Sequence, residues 1–411
     1  MQKKLHELET EFNTSLEFGL KDEQVALNRE KYGKNALEEK KKTPLIIKFL
    51  EQFKELIWLF VAGGILMYTF PEKQERLLGR TVRRWDYLPA IILVLPLTLW
   101  AGFRGNVADT TLYRKIFLEE SRGLMDIPAV LLGDGKDTGF TALIIILKTF
   151  IGNNDTLYFT IFAVFQMACM CYVFRKYSSD YWISIFLFVA STDYTSWMFN
   201  GMRQFIAACL IFSCFDLMVK KKYVKLIIVI LLASLIHGSA LLMIPIVFIV
   251  QGKPWNFKTI LMVLGTVIIV LFVDRFTPIL NDLLADTQYN DIMSNEIWTV
   301  DDGTNIIRVL VYSVPMIFAL IGKPYIDYAN DPALNICVNC SIVTTALYAV
   351  STVTSGVYIG RLPIYTSLMG YISLPWLINH MFNRESSLLV KIVMIVLYIA
   401  FYCYQTFITW S

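Results

Sequence analysis

The chain has 411 residues, of which 56% are hydrophobic and 17% charged, with a formal net charge of +3. A mean hydropathy of +0.53 argues against an ordinary soluble globular protein, and long apolar runs, rather than short alternating segments, argue against a β-barrel. So small a net charge gives no reason to expect nucleic acid as a partner.

The first 54 residues hold 11 Lys/Arg against 10 Asp/Glu. They do not read as a secretory signal, which has a short basic start followed at once by an apolar core. The stretch GLKDEQVALNREKYGKNALEEKKKTPLIIKFLEQFKE predicts a helix, a turn at Tyr32–Asn35, a basic linker and a second amphipathic helix. It resembles the cytosolic N-terminal region of P-type cation-transporting ATPases through about Glu55. Those pumps phosphorylate an Asp in a DKTGT motif and carry a large nucleotide domain. Here Gly133-Asp134-Gly135-Lys136-Asp137-Thr138-Gly139 is only superficially similar, and no soluble stretch is long enough for such a domain. Residues 1–55 are therefore expected to be a short soluble segment without pump activity.

From Leu56 the apolar runs predict spans at 56–70, 87–103, 155–174, 181–199, 201–219, 223–250, 257–273, 304–321, 333–350, 357–378 and 388–408. The run 139–152 is short and interrupted by Lys148, so it reads as interfacial or re-entrant. The expected fold is an all-α polytopic integral membrane protein, with about 10–12 transmembrane or re-entrant helices over 56–411. The seven cysteines all fall in apolar runs. Cys337 and Cys340 form a CxxC that reads as one buried helix face, and with three histidines in the whole chain no metal or cofactor site is expected.

The Lys/Arg bias sets the expected orientation. Lys220-Lys221-Lys222-Tyr223-Val224-Lys225 is the cytoplasmic anchor, joined by Arg175-Lys176 and by Arg80, Arg83 and Arg84. Residues 274–303 hold seven acids and one Arg and are expected outside. As a single helix, the uncharged run Leu226–Gly252 would reach about 40 Å, well beyond the roughly 30 Å hydrocarbon slab. A break at Ile236-His237-Gly238-Ser239 restores the positive-inside pattern and predicts a hairpin.

That topology gathers cations at the outer level. Arg104 and Arg203 stand there, His237 is the tip of the hairpin, and Arg361 lies near the outer end of 357–378. Each has a structural explanation, such as snorkelling to headgroups. Several positive charges on the disfavoured side nevertheless suggest a shared anion, and the guanidinium fork suits a diphosphate.

The stretches AGFRGNVADTTLYRKIF, NGMRQFIAACLIF, IHGSALLMIPI and YIGRLPIYTSLM look like the recurring signatures of the EpsG family, bacterial membrane proteins of exopolysaccharide loci similar to Wzy-type polymerases. The pump-like N-terminus is a departure from that family. The resemblance implies a multi-pass protein of the bacterial plasma membrane that polymerises polyprenyl-diphosphate-linked oligosaccharide repeats at the extracytoplasmic face. Its partners would be that lipid-linked substrate, the bilayer, and other membrane proteins of the same locus. Arg104, Arg203 and Arg361 would bind substrate, with Tyr113, Gln204 and Ser239 beside them in the same motifs. His237 would be the general base, with Asp109 as its rival. A flippase of the same lipid-linked sugar and a membrane acyltransferase are the competing classes.

Overall fold

The computed structural model describes residues 19–33, 53–77, 80–272 and 303–410. The chain divides into two units, residues 1–52 and 53–411.

In the first unit the described element is helix α1 (Asp22–Tyr32). Asp22 and Glu23 stand in its first turn and Arg29 and Lys31 in its last, the order that complements the helix dipole. Gly33 ends it with a φ of 80°. The basic linker and most of the second expected helix lie outside the described residues, as does nearly all of the acidic stretch 274–303.

The second unit is a body of helices, as the apolar runs demand. It opens with α2 (Lys54–Thr69). Gly63 of α2 lets Trp182 dock, because a Cβ there would lie 2.1 Å from the indole nitrogen. That nitrogen donates to the Leu59 carbonyl at 2.7 Å. A short antiparallel hairpin follows, β1 (Lys73–Leu77) and β2 (Arg80–Arg84). The sequence reading took this stretch only as a basic flank. Its regularity comes from anchoring to a distant helix end. Arg84 donates to the Arg175 carbonyl at 2.9 Å, while Arg175 bonds Glu75 and lies 3.5 Å from the Tyr87 ring centroid. Lys73 bonds Asp86, whose carboxyl this ammonium holds below its usual range.

Next come α3 (Tyr87–Gly102), α4 (Thr110–Glu119), α5 (Ile127–Leu132), α6 (Thr138–Ile151) and α7 (Asp155–Tyr177). Lys148 does not reach for headgroups. Its ammonium donates to the carbonyls of Phe117, Leu118 and Glu120, the unpaired acceptors at the end of α4.

Two expected spans are broken. The run 181–199 divides into α8 (Tyr181–Ala190) and α9 (Asp193–Met198). Thr192 sits between them with a φ of 65°, a conformation costly for a β-branched residue. The run 201–219 divides into α10 (Met202–Ser213) and α11 (Phe215–Val219).

The long run 223–250 breaks where its length required. Helix α12 (Tyr223–Ile236) ends at His237; a 3-10 turn (Gly238–Leu242) leads into α13 (Met243–Ile249). The chain reverses there, because the Tyr223 and Phe248 rings meet at 5.3 Å between centroids. On a continuous helix those residues would be almost 40 Å apart. Both arms of the hairpin therefore end together, which brings Lys253 and Lys258 to the same end as Lys220–Lys225.

The body closes with α14 (Phe257–Leu271), α15 (Ile306–Ile321), α16 (Lys323–Ala329), α17 (Pro332–Ser351), α18 (Ile364–Met381) and α19 (Arg384–Trp410). A 3-10 turn over Ile359–Arg361 stands before α18. Among the described residues three helices are long and apolar enough to cross a bilayer, Asp155–Tyr177, Pro332–Ser351 and Arg384–Phe407. The pair α15–α16, bent by 70°, makes a fourth if taken as one span. The remaining apolar helices are shorter. The result is an all-α membrane protein whose core is threaded by broken segments.

Candidate functional site

Most of the residues singled out in the sequence, Arg104 excepted, lie at two connected places. The first is built around the hairpin tip. His237 Nδ1 lies 2.8 Å from Ser239 Oγ, and Ser239 Oγ lies 2.9 Å from the Tyr365 hydroxyl. Gln204 Nε2 donates to Ser239 Oγ and to the Arg361 carbonyl, both at 3.2 Å. A carbonyl can only accept, so this contact fixes which end of the Gln204 amide faces it. Gln204 fills one lone pair of Ser239. One lone pair and one proton remain for His237 and Tyr365. If Nδ1–H donates, Ser239 passes its proton to Tyr365 and the histidine Nε2 is left as an acceptor, the form a general base needs.

Asp137, Arg203 and Arg361 are the charged groups that act on His237. Arg203 is half-buried and pairs with Asp137 at 2.6 Å. Its guanidinium also sits 5.9 Å from the Tyr113 and Phe140 ring centroids. Asp137 takes a φ of 55° at the start of α6, and Gly139 lets that turn touch α12. A Cβ on Gly139 would come within 2.9 Å of the Leu235 backbone. Asp109 accepts from the Gly201 amide at 3.2 Å and so supports the turn that starts α10, in which Gly201 has a φ of 78°.

The second place is a cavity of about 210 Å³. Its polar lining comes from Arg308, Arg361, Thr192, Ser196, Asn200 and Gln405. Arg361 thus belongs to both places, with its carbonyl on Gln204 and its side chain on the cavity. No ion pair holds the Arg361 guanidinium among the described residues. Close backbone packing forms this wall. Thr304 donates its amide to the Ser351 carbonyl at 2.9 Å. A Cβ on Gly360 would lie 2.5 Å from Thr304 Oγ1, and one on Gly356 would lie 2.9 Å from the Gly303 carbonyl. Glycine next to Arg361 is therefore a packing requirement.

Beneath the cavity lies Asp193, fully buried. It accepts from Trp197 Nε1 at 2.9 Å, from the Tyr371 hydroxyl at 2.6 Å, and from the Tyr312 hydroxyl. Arg308 stands over the rings of Tyr312 and Tyr348, at 5.7 and 5.9 Å from their centroids. Its Nε is buried without a hydrogen-bond partner.

A family model described as EpsG family matches residues 87–409, the stretch that carries both places. The chain belongs to the EpsG family. The match begins after α2 and the β-hairpin, later than residue 56, where the expected multi-spanning region starts. Residues 1–67 match a second model, described as cation transporter/ATPase, N-terminus, so this likeness runs through most of α2 and beyond the expected limit at Glu55. No curated protein and no solved structure matches the chain.

Within the EpsG region, Arg104 stands apart from the cavity. It is buried, and its guanidinium donates to the carbonyls of Ala101 and Met198. It is sandwiched near the Phe159 and Phe199 rings, at 4.9 and 4.7 Å from their centroids. There it ties the end of α3 to the end of α9. The sequence reading passed over Asp137, Asp193, Arg308, Tyr312, Tyr365 and Tyr371. For Arg308 the signal was available, since it stands two residues into an apolar run just as Arg203 does. Asp137 was seen only as part of a false pump motif.

Proposed function

We propose that this EpsG-family membrane protein of exopolysaccharide biosynthesis is a polymerase. It would join polyprenyl-diphosphate-linked oligosaccharide repeats at the extracytoplasmic face of the bacterial plasma membrane. The observation that carries the reading is the cavity shared by Arg308 and Arg361. Two permanently charged side chains from segments about fifty residues apart face one polar space, and the Arg361 guanidinium has no carboxylate partner among the described residues. Leaving cations so placed in an apolar body is costly unless an anion joins them. At about 210 Å³ the cavity is smaller than the 300–1,000 Å³ typical of pockets for whole organic ligands. It suits a diphosphate head, with lipid and sugar extending outside.

In this reading the acceptor hydroxyl oxygen attacks the anomeric carbon of the donor. The carbon–oxygen bond to the diphosphate breaks, and its electron pair leaves on the diphosphate oxygen. Arg308 and Arg361 hold the charge that develops there, which preorganised donors do well at a water-poor site. His237 Nε2 takes the acceptor proton, with Nδ1 braced by Ser239, Gln204 and Tyr365. Arg203 contributes by keeping Asp137 beside His237.

The direct experiment uses the full chain in lipid nanodiscs with a polyprenyl-diphosphate-linked repeat. A ladder of chain lengths on a gel is expected. Movement of the substrate between leaflets without any new chain length would replace the polymerase with a flippase. Transfer of an acyl group would replace it with an acyltransferase.

A further inference from the structure

Asp193 has a geometry that packing alone does not require. Its carboxylate is fully buried and collects three donors, from Trp197 on its own helix, Tyr312 on α15 and Tyr371 on α18. These donors are neutral. They satisfy lone pairs but leave the charge uncompensated, and a lone buried charge is expensive. Arg308 supplies the opposite charge, and it does so without contact. Among the described residues no carboxylate lies within ion-pair distance of Arg308. Tyr312 stands between the two. Its hydroxyl bonds Asp193 and its ring lies under the guanidinium. The Asp193 carboxylate thus faces the charge of Arg308 across Tyr312, and Arg308 makes no ion pair among the described residues. Arg203 is the opposite case, with one guanidinium nitrogen paired directly with Asp137.

We infer that Asp193 is a positioning residue that acts through Tyr312 to hold Arg308 at the cavity wall and to moderate its grip on an anionic diphosphate. The inference rests on the diphosphate reading above. A leaving group must be bound as it forms and then released. A second arginine as uncompensated as Arg361 would slow release, and one paired directly with a carboxylate would bind the leaving group only weakly. A carboxylate one ring away sets an intermediate strength.

The test is a double-mutant cycle read by two measurements, pyrophosphate affinity by calorimetry and turnover of the lipid-linked repeat. Asp193→Asn keeps the size and an acceptor but removes the counter-charge. Pyrophosphate should bind roughly three- to tenfold more tightly, as loss of one nearby negative charge predicts, while turnover falls. In an Arg308→Ala background the same substitution should leave affinity unchanged within twofold, since the group through which it acts is gone. Loss of a mere helix cross-link would weaken affinity and turnover together. If Asp193→Asn does not accumulate as folded protein, Tyr312→Phe takes its place, because it keeps the ring under Arg308 and cuts the link to Asp193. An equal effect in both backgrounds, or weaker binding in the single variant, overturns the inference and leaves the diphosphate reading standing. Failure of the wild type to bind pyrophosphate or the lipid-linked substrate overturns both.

Discussion

Arg203 and Arg361 flank a single glutamine and are used in opposite ways. Arg203 is followed directly by Gln204, and Gln204 holds the Arg361 carbonyl. The Arg203 guanidinium pairs with Asp137 at 2.6 Å, whereas Arg361 lines a cavity with Arg308. One arginine meets a carboxylate, and the other meets none among the described residues. A charge in an apolar run marks a place of consequence, but its partner decides whether that consequence is structure or binding.

The contrast breaks most readily at Arg361. Arg361→Ala should lower turnover by about 10²–10³, the scale for loss of one preorganised transition-state donor. The protein should still accumulate and melt normally, because no ion pair is lost. Arg361→Lys should recover only part, since the charge survives without the fork. Chain-length ladders and a thermal melt measure both, and near-normal ladders from the alanine variant would move the binding role back to Arg203. His237→Gln comes next, with a loss of about 10² in turnover, at the lower end for general acid–base catalysis. Affinity for the lipid-linked substrate should hold. A parallel fall in protein level would instead make His237 a core histidine.

How much of this was legible in the sequence depends on where each residue finds its partner. The hairpin at His237 could be read because the run around it is too long for one span, a local fact. The glycine before Arg361 could be seen, but its purpose lay in Thr304, more than fifty residues earlier. Asp193 sat inside an expected continuous span, and its three donors come from α9, α15 and α18. Arg104 carried the same signal as Arg361, yet its partners are backbone carbonyls, which no residue pattern announces. The helical class and the charged positions are local properties and could be read directly. Long-range packing divided those positions between holding the fold and facing the cavity.

Two smaller effects sharpen the comparison. Gly360→Ala should destabilise the chain by about 1–3 kcal/mol, the cost of forcing a carbon into a packed interface, and should lower turnover about tenfold by displacing Arg361. Melting temperature and ladder intensity should fall together. An unchanged melt would mean that the Gly303–Thr304 strap yields freely. The smallest effect is expected at the closed-off pair. Arg203→Gln and Asp137→Asn should each cost about 1 kcal/mol, and the double variant no more than either, because partners in one ion pair are not additive. Additive losses in the melt would show that the two residues act separately.

The hairpin at His237 has a consequence for the bilayer itself. Helix α12 has 14 residues, about 21 Å, and turns back at a depth well short of the roughly 30 Å hydrocarbon thickness. Its flank carries Ile228, Leu231, Leu232 and Leu235, all exposed. The helix that follows the hairpin, α14, spans 15 residues and is similarly short and apolar on its surface. By contrast α19 runs for 27 residues, about 40 Å. Lipid bordering α12 and α14 would meet a hydrophobic belt narrower than itself, a mismatch that local thinning would relieve. Lipid along α19 meets no such shortfall. The membrane around this protein would then be uneven, with headgroups sinking nearest the hairpin whose tip is His237. A polyprenyl carrier drifting into that depression would bring its diphosphate down toward the level of the histidine without leaving the leaflet.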